Sequence, residues 1–119
     1  MEWFYDKNGQ AVMFQYGDRL ISRSGDNLCW IIDEYIYSLR SGRHIGWFED
    51  GKIYDINNRV LAFLRNANNL PYKPGLGGTP GTPGIPGKPG MPGRSGIHGR
   101  PGYSGYSNYD AVDYFLRNQ

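Results

Sequence analysis

The chain has 119 residues, with 13 basic and 11 acidic side chains and a formal net charge of +2. This length predicts a single domain. Four basic residues and no acidic one lie between Lys73 and Arg100, which is too sparse to indicate a nucleic-acid partner. Cys29 is the only cysteine, which excludes an internal disulfide. No stretch suits a membrane span or a signal peptide, so we expect a cytoplasmic protein without a membrane partner.

Four similar segments fill the first half of the chain, at a period of 16 residues with one insertion. Each contains a turn residue, an aliphatic residue three positions later and an aromatic residue five positions later. The turn residues are Gly9, Gly25, Gly42 and Asn58, the aliphatic residues Val12, Leu28, Ile45 and Leu61, and the aromatic residues Phe14, Trp30, Trp47 and Phe63. Glycine and asparagine tolerate the positive φ of tight turns, so each segment predicts a β-hairpin. Because isolated hairpins are marginal in water, we expect all of them to share one core.

The second strand of each hairpin predicts how that core is built. Residues two apart on a strand share a face, so the aliphatic and aromatic positions are expected to form one core wall. The residues between them are mostly small and face the other way; they are Met13, Cys29, Gly46 and Ala62. We expect this column to allow close approach around a pseudo-fourfold axis, and Cys29 to be a small core residue rather than a reactive thiol.

Two stretches of the repeat resemble a known family. Residues 5–14 read Y-D-x-x-G-x-A-x-x-F, and residues 44–55 read H-x-G-W-F-x-x-G-x-I-Y-D. This pattern resembles the bacterial 4-fold β-flower domain over residues 3–66. The resemblance implies a mainly β fold of four hairpins arranged about a central axis and a bacterial source, and it implies no activity. The fourth turn departs from the pattern because Asn58 stands where glycine is expected, a substitution that the turn accepts.

Glycine recurs at every third position in the second half of the chain, and proline fills the third place of six triplets. The glycines are Gly75, Gly78, Gly81, Gly84, Gly87, Gly90, Gly93, Gly96, Gly99, Gly102 and Gly105. Only glycine fits the axis where three polyproline-II strands meet, so residues 75–107 resemble a collagen-like protein. These glycines predict a homotrimer on a stalk about 100 Å long. A single extended polyproline-II chain is the alternative, and the sequence does not separate the two.

These patterns divide the chain into a four-hairpin β domain (1–66), a linker (67–74), a collagen-like Gly-X-Y segment (75–107) and a short C-terminal helix (108–119). Ser107 and Asp110 have the spacing of a capping box for that helix. Its predicted apolar face contains Ala111, Val112, Phe115 and Leu116. A helix this short needs a partner, which is either the β domain or its own copies in two other chains.

The sequence offers no catalytic arrangement of nucleophile, acid and base, so we expect neither an enzyme nor a metal or other cofactor. His44 lies in the repeat and His98 in the Gly-X-Y segment, and nothing in the pattern places either histidine near a nucleophile. An excess of aromatic residues is the one binding feature. Trp47 and Tyr37 are the candidates for stacking on a ligand, and the alternative is that these rings belong to the core.

Two functions follow from these features. The leading hypothesis is a non-enzymatic structural or assembly protein, in which β domains are displayed together on a collagen-like stalk and gain avidity. The alternative is a monomeric β module that binds a sugar or a peptide and carries a polyproline-II tether. We expect no nucleic-acid partner for either.

Overall fold

A computed structural model describes residues 2–102 and 105–119. Its centre is a closed antiparallel barrel in which each strand pairs with its neighbour in sequence and the last strand pairs with the first. The strands are β1 (Trp3–Tyr5), β2 (Ala11–Tyr16), β3 (Arg19–Ser22), β4 (Asn27–Ile32), β5 (Tyr35–Ser38), β6 (His44–Glu49), β7 (Lys52–Asp55) and β8 (Val60–Leu64). The predicted mainly β fold of four hairpins is therefore confirmed.

A β-bulge in every hairpin separates the aliphatic positions from the aromatic ones. In the first hairpin Phe4 pairs with Met13 but Tyr5 pairs with Ala11, so Val12 has no partner of its own. The same shift recurs in the other three hairpins. A bulge adds one residue to one strand and bends it. The expectation of one shared core wall was therefore wrong, because the bulge turns the aliphatic residues inward and leaves the aromatic residues facing outward.

The barrel interior is filled by residues that alternate with the outward-facing aromatic residues. It contains Phe4, Met13, Leu20, Cys29, Ile36, Ile53 and Ala62, together with the aliphatic residues Val12, Leu28, Ile45 and Leu61. The small column thus faces the axis, as expected. Gly46 belongs to this column and has a steric reason to be glycine, because a Cβ there would lie 2.2 Å from the carbonyl oxygen of Tyr54.

The described residues contain one helix, α1 (Ala111–Arg117), which closes one end of the barrel. Phe115 is fully buried and packs in the barrel interior with the aliphatic residues of the four hairpins. Tyr114 donates its hydroxyl hydrogen to the carbonyl of Ile45 at 2.6 Å and accepts from the backbone N–H of Ile56 at 3.0 Å. Burial raises the pKa of Tyr114 to about 12. Of the two partners considered for the helix, the structure therefore places it against the β domain.

The helix differs from its prediction in its cap and its buried face. Asp110 is the N-cap, since its carboxylate accepts from the backbone N–H of Asp113. Ser107 instead donates to the carboxylate of Asp55 at 2.7 Å, which fixes the chain before the helix. Tyr114 takes the place expected for Leu116, which remains 47 % exposed. The spacing of Ser107 and Asp110 fits a capping box but does not determine which of the two residues caps the helix. Packing against the barrel determines which residues of the helix are buried.

Residues 75–102 are extended and contain no helix or strand. They lie against the hairpin turns and the outer face of the barrel, and we call them the belt. The residues of the predicted Gly-X-Y segment that the structure describes therefore pack on the β domain and do not project from it as a stalk. Ala67 and Leu70 of the predicted linker also pack on the barrel. Tyr103 and Ser104, which the predicted Gly-X-Y segment includes, lie outside the described residues.

Within the described ranges, no helix is long and apolar enough to cross a bilayer.

Candidate functional site

The belt contacts the four hairpin turns in sequence order. The contacts pair Gly75 with Gly9, Gly84 with Gly25, Gly93 with Gly42, and Pro101 with Asn58. Successive belt glycines in these contacts are nine residues apart, which is three triplets for each hairpin. At about 3.1 Å per residue, this step spans about 28 Å. The triplet repeat of the second half is thus matched to the 16-residue repeat of the first half.

Glycine in the turns is required by this contact as well as by the turn conformation. Gly42 has a φ of 71°, which favours glycine. A Cβ at Gly42 would also lie 2.0 Å from the carbonyl oxygen of Gly93. The belt backbone is held there by a hydrogen bond from the N–H of Ser95 to the carbonyl of Gly42, at 2.9 Å. The turn glycine therefore lets two backbones meet without an intervening side chain.

The fourth turn contacts the belt through an asparagine, Asn58, where the other turns have glycine. Asn58 has a φ of 64°, a conformation that asparagine tolerates. Its side-chain Nδ2 donates to the carbonyl of Pro101 at 2.8 Å, and its Oδ1 accepts from Nε of Arg100 at 2.7 Å. Asn58 therefore replaces a backbone approach with two side-chain hydrogen bonds.

The outer face of the barrel carries a band of aromatic residues, which we call the aromatic wall: Trp30, Tyr37, Trp47 and Tyr54. Their exposed fractions are 1 %, 5 %, 3 % and 8 %. Outward-facing side chains of a barrel normally contact solvent, so this burial reflects coverage by another part of the chain. The third residue of several triplets turns toward the barrel, because Pro80, Pro83, Pro86, Pro89 and Pro92 are half-buried while the glycines between them are exposed.

Each belt cation from Lys88 to Arg100 lies over a ring of the wall. The Nζ of Lys88 is 5.7 Å from the ring centroid of Trp30, and the guanidinium carbon of Arg94 is 5.6 Å from that of Tyr37. The guanidinium carbon of Arg100 lies 5.4 Å from the ring centroid of Trp47 and 4.7 Å from that of Tyr54. Each such contact contributes about 0.5–1 kcal/mol at an exposed site.

Two of these cations also pair with carboxylates of the barrel. Lys88 contacts Asp18 at 3.0 Å and Arg100 contacts Glu49 at 3.0 Å. Both pairs are partly exposed, where an ion pair contributes at most about 1 kcal/mol. The Nη1 of Arg19, which is itself buried, adds a hydrogen bond to the carbonyl of Pro86 at 3.0 Å. The pairs therefore set the position of the belt more than they stabilise it.

The two aromatic residues predicted to stack on a ligand, Trp47 and Tyr37, belong to this wall. Both already contact a cation of the chain itself, Arg100 and Arg94 respectively. The structure therefore brings the predicted pair together at one surface, but with the belt in the position expected for a ligand.

The glycine column predicted for trimerisation lies on the side of the belt that faces away from the barrel. A Cβ added at any of Gly75, Gly78, Gly81, Gly84, Gly87, Gly90, Gly93, Gly96, Gly99 or Gly102 would meet no atom within 4 Å. Gly105 has a different role, because its carbonyl accepts from the N–H of Val60 at 2.7 Å. The packing of a single chain therefore does not require glycine at the ten outward positions.

The two histidines meet at the third hairpin, a contact that the sequence pattern did not predict. The Nδ1 of His44 accepts a hydrogen bond from the backbone N–H of His98 at 3.0 Å, and the two rings stack with centroids 5.4 Å apart. His44 is 1 % exposed. Burial, together with the nearby His98, lowers the pKa of His44. A polar residue at this strand position was the available signal, because Asn27 holds the same position in the second repeat and also bonds to the belt. There the side-chain Nδ2 of Asn27 donates to the carbonyl of Gly87, whereas the His44 ring accepts.

The described residues contain no group of three or more His, Cys, Asp or Glu side chains that would hold a metal ion. Cys29 is fully buried in the barrel interior, and burial raises the pKa of its thiol. A thiol reacts as the thiolate, which the raised pKa disfavours. We therefore expect Cys29 to contribute to the packing of the core and not to react in the folded chain.

Comparisons with known proteins add one result. No curated protein and no solved structure matches the chain. One family model matches, that of the 4-fold beta flower protein, over residues 2–115. The match extends beyond the resemblance noted for residues 3–66 and includes the belt and most of the closing helix. The chain belongs to the 4-fold beta flower family.

Proposed function

We propose that this protein is a non-enzymatic structural module whose aromatic wall binds a proline-rich Gly-X-Y chain. Its own belt is the resident ligand. The observation that carries this proposal is the position of Lys88, Arg94 and Arg100 over successive rings of the wall. Aromatic-lined grooves are the usual receptors for polyproline-II segments, because such segments lose little entropy when they bind.

Binding of the belt covers the outer face of the barrel, just as helix α1 covers one of its ends. The belt excludes water from rings that would otherwise form a large exposed apolar surface, which in soluble proteins marks a site of association. Covering this surface in cis keeps the module from associating through it. The two functions considered from the sequence, assembly and ligand binding, therefore become one: recognition of a Gly-X-Y chain.

A trimeric Gly-X-Y stalk is the second candidate, and one observation favours it. The ten outward glycines of the belt meet nothing at their Cβ positions, whereas a triple helix requires glycine at every third residue. A stalk would use the glycines, but it would require the belt to leave the wall and its hydrogen bonds to the hairpin turns. The two candidates therefore predict opposite responses to changes within the belt.

Two variants of the full chain separate the candidates. Gly90→Ala places a methyl group in open space on the belt, so the free energy of unfolding should change by less than about 1 kcal/mol. Deleting residues 90–92 keeps the triplet phase, but it shortens the path between the contacts of Gly84 and Gly93 by about 9 Å. The belt then fails to reach both turns, and unfolding should become easier by about 2–4 kcal/mol through lost hydrogen bonds.

A triple helix reverses both expectations, because it tolerates the loss of a whole triplet and not a methyl group on its axis. The measurement is urea unfolding followed by tryptophan fluorescence, with the mass of each variant determined by light scattering. A Gly90→Ala variant that loses stability together with a trimeric mass, beside a stable deletion variant, would refute the proposal and establish the stalk.

A further inference from the structure

The contact between His44 and His98 has a chemistry that makes it sensitive to protons. His44 lies at the start of β6 with its ring almost fully buried, and its backbone N–H donates to Oγ of Ser95 at 2.9 Å. Its Nδ1 accepts from the backbone N–H of His98, so the neutral ring carries its hydrogen on Nε2. Among the described residues, Nε2 has no hydrogen-bond partner. Two hydrogen bonds of His44 therefore hold belt residues 95–98: its neutral ring accepts one at Nδ1, and its backbone N–H donates the other.

Aromatic rings surround His44, and among the described residues no ion pair joins it to a carboxylate. The ring of Trp47 meets His44 edge-on with centroids 4.8 Å apart, and those of Tyr35 and Tyr37 lie 5.8 and 5.9 Å away. On the belt side, Arg94 and Arg100 lie over Tyr37 and Trp47. The carboxylates near this region are engaged elsewhere, Glu34 with Tyr35 and Glu49 with Arg100. A positive charge on His44 would therefore be buried among aromatic rings, beside the ring of His98.

We propose that His44 is a pH-sensitive latch, which holds the belt on the third hairpin when its ring is neutral and releases it when the ring is protonated. Protonation places a hydrogen on Nδ1, the atom that must accept from the His98 N–H. The Nδ1 atoms of the two rings lie 3.3 Å apart, so the new N–H of His44 would also point at the ring of His98. Release uncovers Tyr37 and Trp47, the part of the aromatic wall beneath Arg94 and Arg100.

The direction of the response follows from the buried state of the ring. The pKa of His44 is lowered below its ordinary value of 6.5 while the belt is docked, and burial is the main cause. The released form therefore binds more protons, so docking is complete above pH 6.5 and weakens as the pH falls below it. If the released ring titrates at 6.5 and the docked ring stays neutral, the released fraction rises up to about tenfold between pH 8.0 and pH 5.5.

Trypsin supplies a direct measure of release in the full chain. Lys73, Lys88 and Arg100 are each followed by proline, which blocks cleavage, so Arg94–Ser95 is the cleavable bond among these basic positions. The N–H of Ser95 is bonded to Gly42 in the docked belt. Cleavage at Arg94, read by mass spectrometry and normalised at each pH to a free peptide of residues 88–101, reports how often this segment leaves the barrel.

His44→Asn is the non-titrating variant, since Asn27 holds the same position in the second repeat and contacts the belt. We expect normalised cleavage of the native chain to rise about tenfold from pH 8.0 to pH 5.5. The rise should persist in His98→Gln, which keeps the His44 ring and the backbone N–H of residue 98 that donates to it, and should be less than about twofold in His44→Asn. Tryptophan fluorescence at each pH verifies that the barrel remains folded.

The latch rests on the proposed docking of the belt, and the same assay separates their failures. Slow cleavage at both pH values, or a full rise that persists in His44→Asn, overturns the latch and leaves the docked belt in place. Cleavage as fast as that of the free peptide at pH 8.0 overturns the docked belt itself, and the proposed function with it.

Discussion

Replacing the glycine of the third turn tests whether the belt truly lies against it. Gly42→Ala introduces two costs that the structure separates. The first is the positive φ of 71°, which costs an alanine about 1–2 kcal/mol. The second is the contact with the belt, because the new Cβ would lie 2.0 Å from the carbonyl oxygen of Gly93. A backbone oxygen on a chain fixed at both sides cannot yield locally, so the belt must leave this turn.

Gly17→Ala is the matched control for this change. Gly17 lies in the turn between β2 and β3 with a φ of 61°, and a Cβ there would meet nothing within 4 Å. It therefore carries the conformational cost without the belt contact. Displacing the belt at Gly42 removes the hydrogen bond from Ser95 and weakens that from His98, at about 0.5–1.5 kcal/mol each. We expect Gly42→Ala to destabilise the chain by about 1–3 kcal/mol more than Gly17→Ala.

The assay is urea unfolding of the full chain, followed by tryptophan fluorescence. Circular dichroism of each variant in the absence of urea verifies that the barrel is intact. Equal free energies of unfolding for the two variants would refute the reasoning, because they would show that the third turn faces solvent as the control turn does.

The remaining predictions concern the barrel interior. Phe115→Ala should lower the free energy of unfolding by about 3–5 kcal/mol, because Phe115 is fully buried in the interior cluster. Leu116 lies on the same helix but is 47 % exposed, so Leu116→Ala should cost less than about 1 kcal/mol. Similar costs for the two variants would mean that the helix does not close the barrel. The thiol of Cys29 should resist a thiol reagent in the native chain and react fully in denaturant, since burial raises its pKa; rapid labelling of the folded chain at neutral pH would contradict its place in the interior.

The hairpins could be predicted because their signals are local. The turn residues from Gly9 to Asn58 mark positive φ positions, and the period of the repeat fixes where each strand begins. The bulge could not be predicted, because a strict alternation of two residues gives no sign of the extra residue at Val12. One extra residue moves every side chain that precedes it in the strand to the opposite face of the sheet. Without that residue, the aliphatic and aromatic positions, which are two apart, would share a face, and this is what the sequence led us to expect.

The path of the belt depends on contacts between distant parts of the chain. One glycine in three predicts an extended polyproline-II chain, but that conformation suits both a separate stalk and a docked segment. The decisive feature is the match of nine belt residues to each hairpin, as between Gly84 at Gly25 and Gly93 at Gly42. This match depends on the circumference of the barrel, and so does the meeting of His44 with His98. Neither is visible before the barrel is closed.

Scattering from the full chain in solution tests the central claim, that the belt wraps its own barrel. The Cα radius of gyration is 13.3 Å, close to the value of about 13.5 Å expected for a compact chain of this length. Size-exclusion chromatography coupled to light and X-ray scattering should therefore give a mass of 13.5 kDa and a radius of gyration of about 14–15 Å once hydration is included. A mass near three times that value, or a radius of gyration above about 25 Å as expected for a stalk about 100 Å long, would contradict the claim.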